Sequence, residues 1–131
     1  MEELRQKARN YFILGLIAER LGMGSESATN LFKALFAIDD AAIFDKTKQT
    51  AKDHNERFSM LKSCLQELYL ITDRIFSVYR RTYTQELSKE ELLLVKKRVM
   101  EAFDNAGIPI PGDDEVKNRF KELLKKGKSP D

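Results

Sequence analysis

Tryptophan is absent from this 131-residue chain, cysteine and histidine occur once each, and proline occurs only at positions 109, 111 and 130. Each scarcity excludes something. A single cysteine forms no internal disulfide and suits a reducing compartment better than a secreted one, so a cytoplasmic location is expected. One Cys and one His fall short of the roughly four such ligands a structural zinc takes, and neither a metal nor a cofactor is expected. With no proline before 109, nothing deletes a backbone donor from residues 1–108, and helix is the expected state there. Long apolar runs are missing too. The apolar stretch 11–18 is short of the roughly 20 residues that cross a bilayer. Met1-Glu2-Glu3-Leu4-Arg5-Gln6-Lys7 is acidic where a secretory leader is basic. Neither a span nor a leader is expected.

What is present is charge of both signs. The 23 Lys and Arg residues against 21 Asp and Glu leave a formal net charge of +2, too small an excess for a domain that coats nucleic acid by charge alone. The average hides an uneven distribution. Between 117 and 128, Lys117, Arg119, Lys121, Lys125, Lys126 and Lys128 face only Glu122, six cations to one acid, a local excess of +5. Such a segment suits the negative end of a helix macrodipole as well as it suits phosphate. The length fits one domain of about 150 residues, able to bury a core without staples. Residues 1–108 read as a helical domain; 109–131 read as a Pro/Gly connector, a short basic helix and a disordered end from 127.

Apolar spacing of three and four predicts helices and no strands. Leu4, Ala8, Tyr11, Phe12, Gly15, Ala18 and Leu21 mark a first helix over about 2–21, ended by Gly22 and Gly24. Ser25 is the expected N-cap of a second. Its broad apolar band, Ala28, Leu31, Phe32, Leu35, Phe36, Ile38, Ala42 and Ile43, suits a central helix. The polar stretch 45–50 reads as a loop, and Asp53 with Glu56 as a capping box opening a third helix through Phe58, Leu61 and Leu65. No Gly or Pro marks a break before the pattern continues to Tyr83. That last stretch is apolar beyond one stripe, so either helices pack on two of its sides or part of the stripe forms a dimer interface. Ser88-Lys89-Glu90-Glu91 is a second capping box, and Asn105-Ala106-Gly107 ends the helix it opens. Asp113 or Asp114 is expected to cap a terminal helix that holds Val116, Phe120, Leu123 and Leu124 on one face. The fold class is all-α, an antiparallel bundle of about five helices plus a short C-terminal one.

Few constellations suggest chemistry. Asp39, Asp40 and Asp45 cluster, but successive helical residues point about 100° apart, so a solvated helix end is the better reading. His54 is the one side chain that titrates near neutral pH and is the weak catalytic candidate; Cys64, on the apolar side of its helix, reads as a small hydrophobe more than a nucleophile paired with it. Gly22-Met23-Gly24-Ser25 precedes a helix N-terminus but lacks a P-loop lysine. The clearest arrangement is on the fourth helix. Arg74, Ser77 and Arg81 follow at i, i+3 and i+7 with Arg80 alongside, guanidinium forks suited to phosphate, and Tyr79 or Tyr83 offers a base-stacking ring. An ordinary charged face explains the same residues.

The order of these motifs over residues 5–105 resembles the HEPN family of small helical domains, found in toxin–antitoxin systems and RNA-processing proteins. Ser27-Ala28-Thr29-Asn30-Leu31-Phe32-Lys33-Ala34-Leu35-Phe36 is similar to the family's second helix, and Lys52-Asp53-His54 to the His that often opens the next. Leu68-Tyr69-Leu70-Ile71-Thr72-Asp73-Arg74, followed by Tyr79, is similar to its Arg-bearing segment, and Ser88-Lys89-Glu90-Glu91 to the start of its final helix. Family ribonucleases place a His four to six residues after that Arg. Here Tyr79 stands at the nearest spacing, and a phenol with a pKa of about 10 is a poor general base, which argues against cleavage through that pair. The resemblance implies a homodimer binding RNA or a nucleotide through Arg74, Tyr79, Arg80 and Arg81. Two other functions are weighed: a helical adaptor for a protein partner such as a nucleotidyltransferase, prompted by the wide apolar surfaces of the second and fourth helices, and a residual ribonuclease using His54.

Overall fold

The computed structural model describes residues 2–127, which hold six helices: α1 (Glu2–Arg20), α2 (Gly24–Thr47), α3 (His54–Cys64), α4 (Gln66–Arg81), α5 (Lys89–Ala106) and α6 (Asp113–Gly127). The all-α class is as the sequence predicts. The expected disorder at 127–131 lies, apart from Gly127 closing α6, outside the described residues. Among the described residues no helix is long and apolar enough to cross a membrane.

Local rules set most of the helix ends. Gly22 takes the left-handed conformation (φ 75°), so that the Met23 N–H reaches the Ala18 carbonyl at 2.9 Å and closes α1. Asp53 caps α3 by accepting from the Glu56 N–H at 2.9 Å. Ser88 and Glu91 exchange both bonds of a capping box, and Gly107 ends α5 at φ 70°. Four expectations need correcting. Gly24 begins α2 instead of ending α1, and Ser25 is not its cap: Met23 holds that place without a side-chain bond. The α2 helix runs three residues into the expected loop, because Thr47 bonds its hydroxyl back to the Ile43 carbonyl at 2.8 Å and Lys48 closes the helix at φ 63°. Gly112, whose carbonyl accepts from the Val116 N–H at 3.1 Å, precedes α6, so Asp113 and Asp114 lie in its first turn. On the apolar face of α6, Leu123 and Leu124 are 47% and 48% exposed.

The break between α3 and α4 falls at Leu65 (φ −138°, ψ 67°). Its cause lies in long-range packing. Phe58 and Phe76 meet edge to face with ring centroids 4.7 Å apart, whereas one straight helix would separate residues 18 apart by about 27 Å at 1.5 Å per residue. Folding α3 back onto α4 brings these rings together, and no single residue at the corner announces it.

The core is built on α2, which packs against α1, α3, α4 and α5. Leu31, Phe32, Leu35, Ile38 and Ile43 of α2 are completely buried, together with Ala8 of α1, Leu61 of α3 and Val95, Val99 and Phe103 of α5. Phe12 joins α1 to α5 by an edge-to-face contact with Phe103 at 5.2 Å. Because α2 itself is enclosed, its apolar band is core and not a docking face. The α4 stripe likewise meets α2, α3 and α5. In contrast, α6 touches only α1, through Val116 against Ile13 and Ile17 and a bidentate Arg9–Glu115 pair at 2.7 and 2.8 Å.

Helices α1 and α2 come closest at Gly15. A β-carbon there would stand 3.0 Å from two Leu31 side-chain atoms and 3.3 Å from the Ser27 carbonyl, and the Ser27 hydroxyl already donates to the Gly15 carbonyl at 2.7 Å. Gly15→Val is therefore expected to cost about 1–3 kcal/mol, the scale of overpacking a filled core, read as a lower urea midpoint at unchanged slope. An unchanged midpoint would show that the two helices part without penalty.

Candidate functional site

Two predicted site residues, His54 and Tyr79, lie together although 25 positions separate them. The His54 ring packs on Phe36 (4.7 Å), Phe76 (5.4 Å) and Tyr79 (5.6 Å). Tyr79 in turn lies against Phe32 and Phe36 at 5.1 and 5.0 Å. Asp53 capping sets His54 as the first residue of α3, and the fold-back at Leu65 lays α4 beside it. The result is a nest of rings where α2, α3 and α4 meet.

Arg57, one turn after His54, organises the polar side of this nest. Its Nε and Nη2 donate to the two carboxylate oxygens of Asp40 at 2.8 and 3.0 Å, and its Nη1 to His54 Nδ1 at 2.7 Å. Its carbon head lies 5.2 Å from the centre of the Phe36 ring. Arginine is always protonated and only donates, so Nδ1 accepts and the proton of neutral His54 belongs on Nε2. Burial first, and the Arg57 charge second, hold the His54 pKa below its usual 6.5, with Asp40 and Asp53 pulling the other way. The ring is neutral at pH 7. Burial and the hydrogen bond with the Tyr83 hydroxyl, 2.8 Å away, push the Tyr79 phenol up to about 12. It stays protonated and does not serve as a base near neutrality.

On the far side of Phe36 a shallow groove of about 200 Å³ runs between α1 and α2. Lys7 and Lys33 place their ammonium groups 5.9 and 5.6 Å from the centre of the Tyr11 ring; Leu4, Phe36, Ala37, Asp40 and Arg57 complete the lining. Because Phe36 borders both features, groove and nest share a wall. On the nest side, Arg80 lies over Phe76 at 5.6 Å.

The three α4 arginines have separate settings. Arg81 pairs with Glu91 of α5, Arg80 covers Phe76, and Arg74 is exposed with no ion pair among the described residues. Tyr83, 72% exposed, lies edge-on to Tyr79 with ring centroids 5.5 Å apart, while the Tyr79 ring is half-buried among its neighbours. Other candidates separate. Cys64 lies ten residues from His54 along α3, about 15 Å of helix rise, and its thiol donates to the Met60 carbonyl. The acidic trio is not a solvated helix end: Asp39 is fully buried and accepts from the Thr72 hydroxyl at 2.7 Å, Asp40 is taken by Arg57, and Asp45 meets Arg5. Burial raises the Asp39 carboxyl well above its ordinary range, and its Oδ1 has no hydrogen-bond partner among the described residues.

Sequence reasoning passed over Arg57, Lys7, Lys33 and Tyr11. The i, i+3 spacing of His54 and Arg57 was the available signal; the Lys7–Tyr11–Lys33 arrangement spans two helices and left none. No protein-family model, no curated protein and no solved structure matches this chain.

Proposed function

We propose that the chain is a non-catalytic HEPN-like domain, its first five helices an antiparallel bundle, that pairs into a homodimer and binds single-stranded RNA or a nucleotide through phosphate. The observation that carries this reading is the alternation of cations and rings across one shared wall: Lys7, Tyr11 and Lys33 in the groove, Arg57, His54, Phe76 and Arg80 in the nest. Basic groups that follow a backbone, interleaved with rings on which bases stack, are what single-strand binding uses, at about 1–3 kcal/mol per stacked base. Arg74 and Arg81 of α4, with Tyr83 just beyond its end, add two cations and a ring. Tyr79 supports it from beneath.

Fluorescence anisotropy with short labelled single-stranded RNA, at about 50 and about 200 mM salt, tests the proposal. Binding should weaken at the higher salt, and Lys7→Glu with Lys33→Glu should weaken it roughly ten-fold or more, since each lost phosphate contact removes about 0.7 from the salt slope. Arg74→Ala with Arg81→Ala should do so to a lesser degree. A mononucleotide competitor separates a nucleotide site from a strand site. Binding indifferent to salt and to both double variants would refute the reading, and RNA cleavage lost in His54→Ala would replace it with the ribonuclease. The adaptor reading loses its first support, because α2 is enclosed.

A further inference from the structure

The surface between the end of α1 and α6 carries a different feature. Ile17, Leu21 and Phe120 form the floor of a notch of about 140 Å³, and Arg20, Lys117 and Lys121 stand around it. Leu21 is 55% exposed, and Lys117 and Lys121 have no ion-pair partner among the described residues. Arg20 reaches only Asp113, at 3.6 Å. The notch is thus apolar at its base and positive at its rim.

Size and charge together narrow the occupant. Small-molecule sites run to roughly 300–1,000 Å³, so this notch holds about one side chain. Three cations around it favour carboxylates on either side of that anchor. A second copy of this chain placed symmetrically would set Lys117 and Lys121 against their own counterparts, since a two-fold contact uses the same patch on both subunits. We propose that the notch docks an acidic segment of another protein, with one Leu- or Phe-sized side chain on Ile17, Leu21 and Phe120 and flanking Asp or Glu residues on Arg20, Lys117 and Lys121. The site lies on α6, apart from the groove and nest, and does not rest on RNA binding.

The test uses fluorescein-labelled heptapeptides with a central leucine or phenylalanine among glutamates, followed by anisotropy against the full chain. Both apolar peptides should bind, and an alanine-centred peptide should bind roughly ten-fold more weakly, about 1.4 kcal/mol. Lys117→Glu with Lys121→Glu should cost a further ten-fold or more with unchanged circular dichroism, because both lysines are exposed. Arg74→Ala with Arg81→Ala should leave the affinity alone. Four outcomes would overturn the proposal: no binding at millimolar protein, equal binding of the alanine peptide, full displacement by short RNA, or self-association in sedimentation that the Lys117→Glu, Lys121→Glu change abolishes.

Discussion

Phe32→Ala is expected to lower the unfolding free energy by about 3–5 kcal/mol, the range for removing a large aromatic from a core. Phe32 is completely buried at the middle of the helix that four others enclose. Its ring touches Tyr79 at 5.1 Å and Phe36 at 6.3 Å. Truncation opens a cavity that α1, α4 and α5 cannot close without pulling apart contacts of their own, such as Phe12 on Phe103. Domains of this kind have some 5–15 kcal/mol in total, so the loss takes a large share of the stability. Urea unfolding followed by circular dichroism gives the number. A loss under about 1 kcal/mol would mean that the neighbouring rings refill the space.

Arg57→Ala comes next, at about 3 kcal/mol. The Arg57 and Asp40 side chains are only 12% and 20% exposed, and removing one partner of a desolvated ion pair leaves the other charge without compensation, at a cost of 3–5 kcal/mol when fully buried. Asp40→Ala in the same chain should recover part of that loss, so the double variant costs about 1–3 kcal/mol less than the sum of the single ones. Additive losses would show that the two side chains act independently. The same variant should raise the His54 pKa, since both causes that lower it weaken: the ring becomes more exposed and the neighbouring cation is gone. NMR titration of the imidazole reads this directly. The pH dependence follows with a definite sign. A His whose folded pKa lies below its unfolded value of about 6.5 makes the protein lose stability as pH falls from 6.5 through the folded pKa, because the unfolded chain binds the proton more readily. That acid-side loss should be smaller in Arg57→Ala, measured relative to its own stability at neutral pH.

These effects also mark what could be read from the sequence. Helix ends governed by three or four consecutive residues were readable: the Ser88–Glu91 box, the Asp53 cap, and Gly22 and Gly107 at their left-handed closures, where backbone preference and side-chain chemistry agree. The corner at Leu65 was not, because its cause is a ring contact between Phe58 and Phe76 that exists only after the chain has turned. Asp39 and Asp40 look alike as letters. One turns into the core toward Thr72 and the other outward to Arg57, a difference fixed by the 100° step between neighbours and by where α3 and α4 happen to lie. At the candidate site, His54 and Tyr79 were identified separately, and only the fold placed them in one nest. The spacing of the fourth-helix arginines did not foretell that Arg57, on α3, would be the one hydrogen-bonded to the histidine.

The narrow attachment of α6 has a consequence for motion. A helix fastened by Val116, Phe120 and one Arg9–Glu115 clasp shares little of the free energy that holds α2 among four neighbours, and units with few buried contacts open without global unfolding. Amide protons of α6 should therefore exchange with solvent well before those of α2, through excursions in which the terminal segment lifts from α1 while the rest stays folded. In those excursions the buried side chains of Ile13 and Val116 become reachable from water.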